Sequence, residues 1–134
     1  MSRGNDPNTG QNTIQFSGMN VQLVNGTKST GSTPNGVGNL IIGYNELRDE
    51  SNAQVKCPSD AGTERYCNRR TGSHMLVIGE SNNYTSHSGI VIGHFNETAG
   101  EYSSVSGSGY NIASEKYSSV SAGNYNKASG QSNY

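Results

Sequence analysis

Short apolar segments recur along the chain at a nearly constant spacing. Each holds one to three aliphatic residues followed by a glycine or alanine, at residues 40–43, 76–79, 90–93, 104–107 and 119–122. The last four segments begin 14, 14 and 15 residues apart. Because this period is too short for a pair of helices, it fits a solenoid coil of two short strands and two turns. The pattern therefore predicts an all-β solenoid of stacked coils.

Further columns follow the same period. Asparagines recur in step with the apolar segments, an aromatic residue precedes the last three of them, and an alanine column is expected at Ala99, Ala113 and Ala128. Residues such as Val105 and Val120 should then lie above one another, about 4.8 Å apart, the spacing of paired strands. The same register places Glu101 over Lys116 as an opposite-charge pair.

The triplets at residues 76–78 and 90–92 are apolar at three successive positions. Because side chains alternate between the two faces of a strand, both faces should be buried there. One face can fill the coil, and the other needs a partner surface, most simply the same surface of another subunit. Farther along, the flanking positions become serines, so this contact should be tighter in the middle of the chain than at its end.

The pattern divides the chain into three parts. Residues 1–12 are expected to be flexible, residues 13–37 to form capping strands and a loop, and residues 38–134 to form the repeats. A charged insertion at about 46–72 interrupts these repeats. Ten of the 19 charged residues lie between Glu46 and Arg70. Since a loop projecting from a rigid scaffold suits recognition, the candidate contact residues are Arg65, Tyr66, Arg69 and Arg70, although a solvated loop is an equal alternative.

The two cysteines, Cys57 and Cys67, lie within this insertion. No second Cys or His pair stands at ligand spacing, which favours a disulfide over a metal site. Such a disulfide would place the chain in an oxidising compartment. Free thiols are the alternative.

Composition excludes several classes of function. Gly, Ser, Asn and Thr make up 64 of the 134 residues, and the net charge is −1. A nucleic-acid-binding protein usually carries a basic face, and a membrane span needs about 20 apolar residues, whereas the apolar runs here are only a few residues long.

Catalysis also has little support. The Ser86-His87-Ser88 triplet lacks a nucleophile elbow, the Gly-rich stretch at 106–109 lacks a phosphate-loop lysine, and no Asp follows residue 73 to bind calcium. The sequence therefore predicts a non-catalytic chain without cofactor or metal. The Glu80–His94 stack expected from the register is a possible pH-sensitive contact, but more often such a pair is surface decoration.

The repeats at 104–107 with 111–114, and at 119–122 with 126–130, resemble the head domains of trimeric autotransporter adhesins. Residues 38–45 and 71–79 are similar to head-type repeats of other bacterial surface and tail-fibre-like proteins. The resemblance implies a left-handed parallel β-roll, three chains side by side, and an extracellular role in attachment. The expected partners are other copies and an unknown surface receptor, glycan or matrix protein. Alternatives are the receptor-binding tail fibre of a phage or contractile injection device and, less favoured, an ice-binding solenoid.

Overall fold

The computed structural model describes residues 2–48 and 67–130, and over these ranges the chain is an all-β parallel solenoid of about 4 turns with no helix. It is preceded by an N-terminal hairpin. The hairpin strands are β1 (Ser2–Asn5) and β2 (Asn12–Gln15). The solenoid strands are β3 (Leu40–Ile42), β4 (Leu76–Glu80), β5 (Asn83–Tyr84), β6 (Ile90–His94), β7 (Glu97–Thr98), β8 (Ser104–Val105), β9 (Ile112–Ala113), β10 (Ser119–Val120) and β11 (Lys127–Ala128).

The solenoid strands form two parallel sheets. The first sheet has the order β10-β8-β6-β4-β3, and the second has the order β11-β9-β7-β5. In the first sheet Leu40 pairs with Leu76, Leu76 with Ile90, Ile90 with Ser104 and Ser104 with Ser119. The coil period read from the sequence is therefore confirmed, and the charged insertion lies between the first and second coils.

The interior contains one valine from each of the last four coils. Val77, Val91 and Val105 are 0% exposed and Val120 is 8% exposed, in a continuous register along the first sheet. The predicted stacking of these valines is confirmed. Because each coil contributes so few apolar atoms, only their alignment makes a continuous core.

The second sheet corrects the predicted alanine column. Ala113 pairs with Ala128 as expected, but its partner in the preceding coil is Thr98 rather than Ala99. Thr98 lies two residues after Asn96, as Ala113 lies two residues after Asn111. The coil between them has an extra residue, which the alanine spacing alone did not reveal.

The asparagine column forms a hydrogen-bonded ladder along the interior. The backbone N–H of Asn96 donates to Oδ1 of Asn82 at 3.0 Å, that of Asn111 to Oδ1 of Asn96 at 2.9 Å, and that of Asn126 to Oδ1 of Asn111 at 3.0 Å. The side-chain amides donate to backbone carbonyls in return; Asn96, for instance, bonds Ile92 at 2.9 Å. Buried turn groups that water cannot reach are satisfied in this way.

Glycine is required where coils approach most closely. Gly79 has a φ of 102°, and a Cβ atom built there would lie 2.1 Å from the carbonyl oxygen of Gly93. No L side chain fits this position without displacing the next coil.

The N-terminal residues form an antiparallel hairpin, with Ser2 opposite Gln15. Ser2–Asn5 lies within the segment 1–12 for which the sequence predicts flexibility, and that flexibility stays a prediction. In the turn between the strands, the Asp6 carboxylate accepts hydrogen bonds from the N–H groups of Asn8 and Thr9. These bonds, that of Thr9 foremost, lower the pKa of Asp6.

Candidate binding surface

The outward face of the first sheet carries two rows of aliphatic side chains. Among them, Leu40 and Ile42 are about half exposed, at 50% and 52%, and Ile90 is 39% exposed, while the others are partly buried. The rows consist of Leu40, Leu76 and Ile90, and of Ile42, Ile78 and Ile92. We call this surface the aliphatic face. It is the outer side of the triplets whose central residues fill the interior.

The same rows continue as serines in the last two coils. Ser104 pairs with Ile90 on one side and with Ser119 on the other, and the Ser104 and Ser119 hydroxyls lie 3.0 Å apart. Ser106 and Ser121 are exposed. The sheet therefore changes from an apolar surface to a hydroxylated one while its parallel pairing continues from β6 through β8 to β10.

Stacked aromatic side chains line one rim of this sheet. The rings of Phe95 and Tyr110 are 5.2 Å apart, and those of Tyr110 and Tyr125 are 4.9 Å apart with an interplanar angle of 5°. All three residues have φ between 55° and 61°. The repeated left-handed corner fixes the direction of each ring, so that identical positions stack from coil to coil.

The opposite rim carries a second stack that sequence reasoning missed. Tyr102 and Tyr117 lie 5.4 Å apart at an interplanar angle of 12°. Their spacing of 15 residues equals one coil and could have revealed the stack. Beside them the predicted Glu101–Lys116 pair is confirmed, with Nζ and Oε2 2.9 Å apart. The hydrogen bond with Lys116 lowers the pKa of Glu101, and the same bond raises the pKa of Lys116.

Two histidines flank the sheet next to these stacks. His94 lies 3.1 Å from Glu80, as the register predicted, and packs edge-on against Tyr110. His87 lies 3.9 Å from Glu101 and packs edge-on against Tyr102. Each rim of the sheet therefore combines a histidine, a carboxylate and a stacked tyrosine.

Of the residues predicted to bind a partner in the insertion, Arg69 and Arg70 are described, while Arg65 and Tyr66 lie outside the described residues. Arg69 donates to both carboxylate oxygens of Glu97 at 2.6 Å. Arg70 donates to the carbonyl oxygens of Asn82, Asn45 and Glu46. Both guanidinium groups thus hold the ends of the insertion against the solenoid, and a binding role for them stays a prediction.

Arg70 donates from Nε to the backbone carbonyl of Asn82, the first asparagine of the ladder. Its guanidinium bonds backbone carbonyls as the asparagine amides do in later coils, and desolvation by burial lowers its pKa. Cys67 is buried at 3% exposure, and its carbonyl accepts a hydrogen bond from Asn83. Its proposed disulfide partner, Cys57, lies outside the described residues, so that pairing stays a prediction.

Arg48 is the main residue that sequence reasoning did not single out. Its side chain is 1% exposed, donates to the carbonyls of Ser81 at 2.7 Å and Asn96 at 2.8 Å, and lies over the Phe95 ring. Its Nη1 is 3.8 Å from Glu97. An isolated Arg in a charged loop gives no periodic signal, and only the fold brings it to this buried position.

Comparison with known proteins gives no relative. No protein-family model, no curated protein and no solved structure matches the chain. Within residues 2–48 and 67–130 there is no group of three or more His, Cys, Asp or Glu side chains suited to a metal ion. The same ranges contain no helix long and apolar enough to cross a membrane.

Proposed function

We propose that this chain is a segment of an extracellular structural or adhesive fibre, in which copies associate side by side through the aliphatic face. The observation that carries the proposal is the set of six aliphatic side chains on the outer side of one parallel sheet, half-exposed or partly buried in the single chain. Parallel sheets are normally covered on both faces, and contiguous apolar patches on a surface mark interaction sites.

The shape of the surface supports association between copies. The strands of the aliphatic face keep one parallel register from Leu40 to Ile90, so its side chains form continuous rows across three coils. A partner that covers these rows should offer a matching apolar sheet, and another copy offers one. The resemblance to adhesin heads favours a more specific form of this proposal. In that form three chains lie side by side in a left-handed roll, the role is non-catalytic, and the fibre attaches to a surface, a host molecule or further copies.

Association can be tested with serine substitutions on the aliphatic face. Ile78 and Ile92 belong to the column in which serine already occurs at positions 106 and 121, so the double change Ile78→Ser with Ile92→Ser should keep the fold. Full burial of an isoleucine contributes about 1.5–3 kcal/mol. Because both residues are already partly buried in the single chain, they should contribute about 3 kcal/mol in total to the contact between two subunits, or about a hundredfold in the dissociation constant of the pair.

Sedimentation equilibrium measures this change, and circular dichroism checks that the β-structure persists. The matched control is Ile112→Ser, which alters a partly buried isoleucine on the second sheet and should leave association unchanged. A wild-type chain that stays monomeric at all concentrations, or equal weakening by the control, would contradict the proposal.

A further inference from the structure

Among residues 2–48 and 67–130, the solenoid interior has an exposed aliphatic side chain at its N-terminal end. Ile41 pairs with Val77 and so belongs to the interior valine column, yet it is 38% exposed whereas Val77 is fully buried. Its strand, β3, is the end strand of the first sheet. The first coil therefore leaves a side chain of this column in contact with solvent, whereas Val77, Val91 and Val105 in the next three coils are fully buried.

The backbone of β3 is open on the same side. The Leu40 N–H donates toward the second coil, to the carbonyl of Met75. Because backbone groups alternate in direction along a parallel strand, the N–H and C=O of Ile41 point away from β4 toward the open edge. An edge with unpaired backbone groups and apolar side chains is a template for another strand.

A segment of matching pattern lies just upstream. We define the N-terminal arm as residues 14–24, whose large apolar side chains are all 43% to 59% exposed. Within it Met19, Val21 and Leu23 alternate with polar residues, the pattern of a strand that buries one face. No part of the chain that the structure describes covers this face of the arm, and none buries Ile41 fully.

The root of the arm is fixed beside β3. The N–H of Asn25 donates to Nε2 of His74 at 3.3 Å, and a Cβ atom on Gly38 would lie 2.8 Å from the carbonyl carbon of Val24. Gly38 stands two residues before β3. Residues 19–23, if extended, span about 16 Å at the rise of a strand, which is longer than the three-residue strand β3. The arm is therefore long enough to pair along the whole of β3.

We propose that residues 19–23 of one copy add as a strand to the open edge of β3 in a neighbouring copy, where Val21 covers Ile41. A second copy is the occupant because, in the single chain, the arm stays exposed although its root adjoins β3. Side-by-side association, on which this inference rests, brings a neighbour's β3 alongside. Each copy then donates one arm and accepts one, an arrangement that closes into a ring.

Cysteine cross-linking tests the arrangement in the full chain. Opposed residues on paired strands lie within disulfide range, so we pair Ile41→Cys with Val21→Cys, and with Met19→Cys or Leu23→Cys as neighbouring registers. Gln22→Cys is the matched control, because its side chain points to the opposite face of the arm. Mild oxidation is followed by non-reducing electrophoresis, with each single variant as background.

We expect the main product to contain two or more linked chains when Ile41→Cys is combined with a cysteine at position 19, 21 or 23. We expect no such product for Gln22→Cys with Ile41→Cys. A cross-link within one chain would overturn the exchange and make the arm a cap of its own solenoid. No cross-link in any register would also overturn it.

A second measurement does not depend on new cysteines. Amide exchange at Ile41 should be slow in the assembled wild type and fast when Met19, Val21 and Leu23 are all changed to serine. Sedimentation separates the two proposals: an assembled wild type without arm exchange leaves the proposed function standing, whereas a monomer removes both.

Discussion

Asn96 is the position at which the asparagine ladder can be tested most directly. Its side chain is fully buried, donates from Nδ2 to Ile92 and Gly107, and accepts the N–H of Asn111 at Oδ1. Asn96→Leu keeps a side chain of similar size and removes all of these bonds. The substitution therefore separates the ladder from the packing of the valine core.

The expected loss follows from the groups left unpaired. The Asn111 N–H loses its partner, and a buried N–H without a partner costs about 1–3 kcal/mol. The Ile92 and Gly107 carbonyls each lose one bond at a cost of about 1 kcal/mol, since a carbonyl can keep a second partner. Together these terms predict a loss of about 4 kcal/mol. For a domain with a free energy of unfolding of about 5–15 kcal/mol, much of the stability would disappear.

Asn126→Leu provides the matched control in the same column. Asn126 is exposed, and its amide bonds the Ala122 carbonyl at 3.0 Å, where water can replace it. We expect its loss to be below about 1 kcal/mol. Urea unfolding followed by circular dichroism at one protein concentration measures both variants. Equal losses for the two would refute the claim that burial makes the ladder essential.

Two further predictions concern coil contacts. Gly79→Ala should lower the free energy of unfolding in urea by about 3 kcal/mol or more, because the φ of 102° and the 2.1 Å approach to the Gly93 carbonyl oxygen exclude a Cβ. Gly130→Ala is the control and should be near neutral, since a Cβ there would meet no atom within 4 Å. Similar losses for the two variants would contradict this reasoning. Lys116→Met should raise the pKa of Glu101 toward its ordinary value, because it removes the hydrogen bond and the positive charge that lower this pKa. The stability linked to the lowered pKa is present above the unfolded pKa and lost as pH falls through the folded one, so the variant should lose stability near neutral pH and not in acid. An unchanged Glu101 titration by NMR would contradict this.

The repeat could be read from the sequence because it is periodic. The interior column is recognisable from its valines, Val91, Val105 and Val120. Their spacing of one coil predicts which residues pair between neighbouring strands. The Glu101–Lys116 pair followed from the same count. The alanine column was misplaced at Ala99 since spacing alone cannot locate an inserted residue within a coil.

The sequence by itself determined the solenoid, because parallel stacking turns equal spacing along the chain into contact in space. Only the tertiary structure decided where the non-repeating residues lie. Arg48 and Arg69 meet at Glu97 across 49 and 28 residues of chain, and Arg70 bonds the backbone carbonyl of Asn82. Such contacts depend on how the ends of an insertion return to the stack, which no period encodes. For the same reason the sequence pattern did not predict the exposed arm or the exposed Ile41 of the first coil.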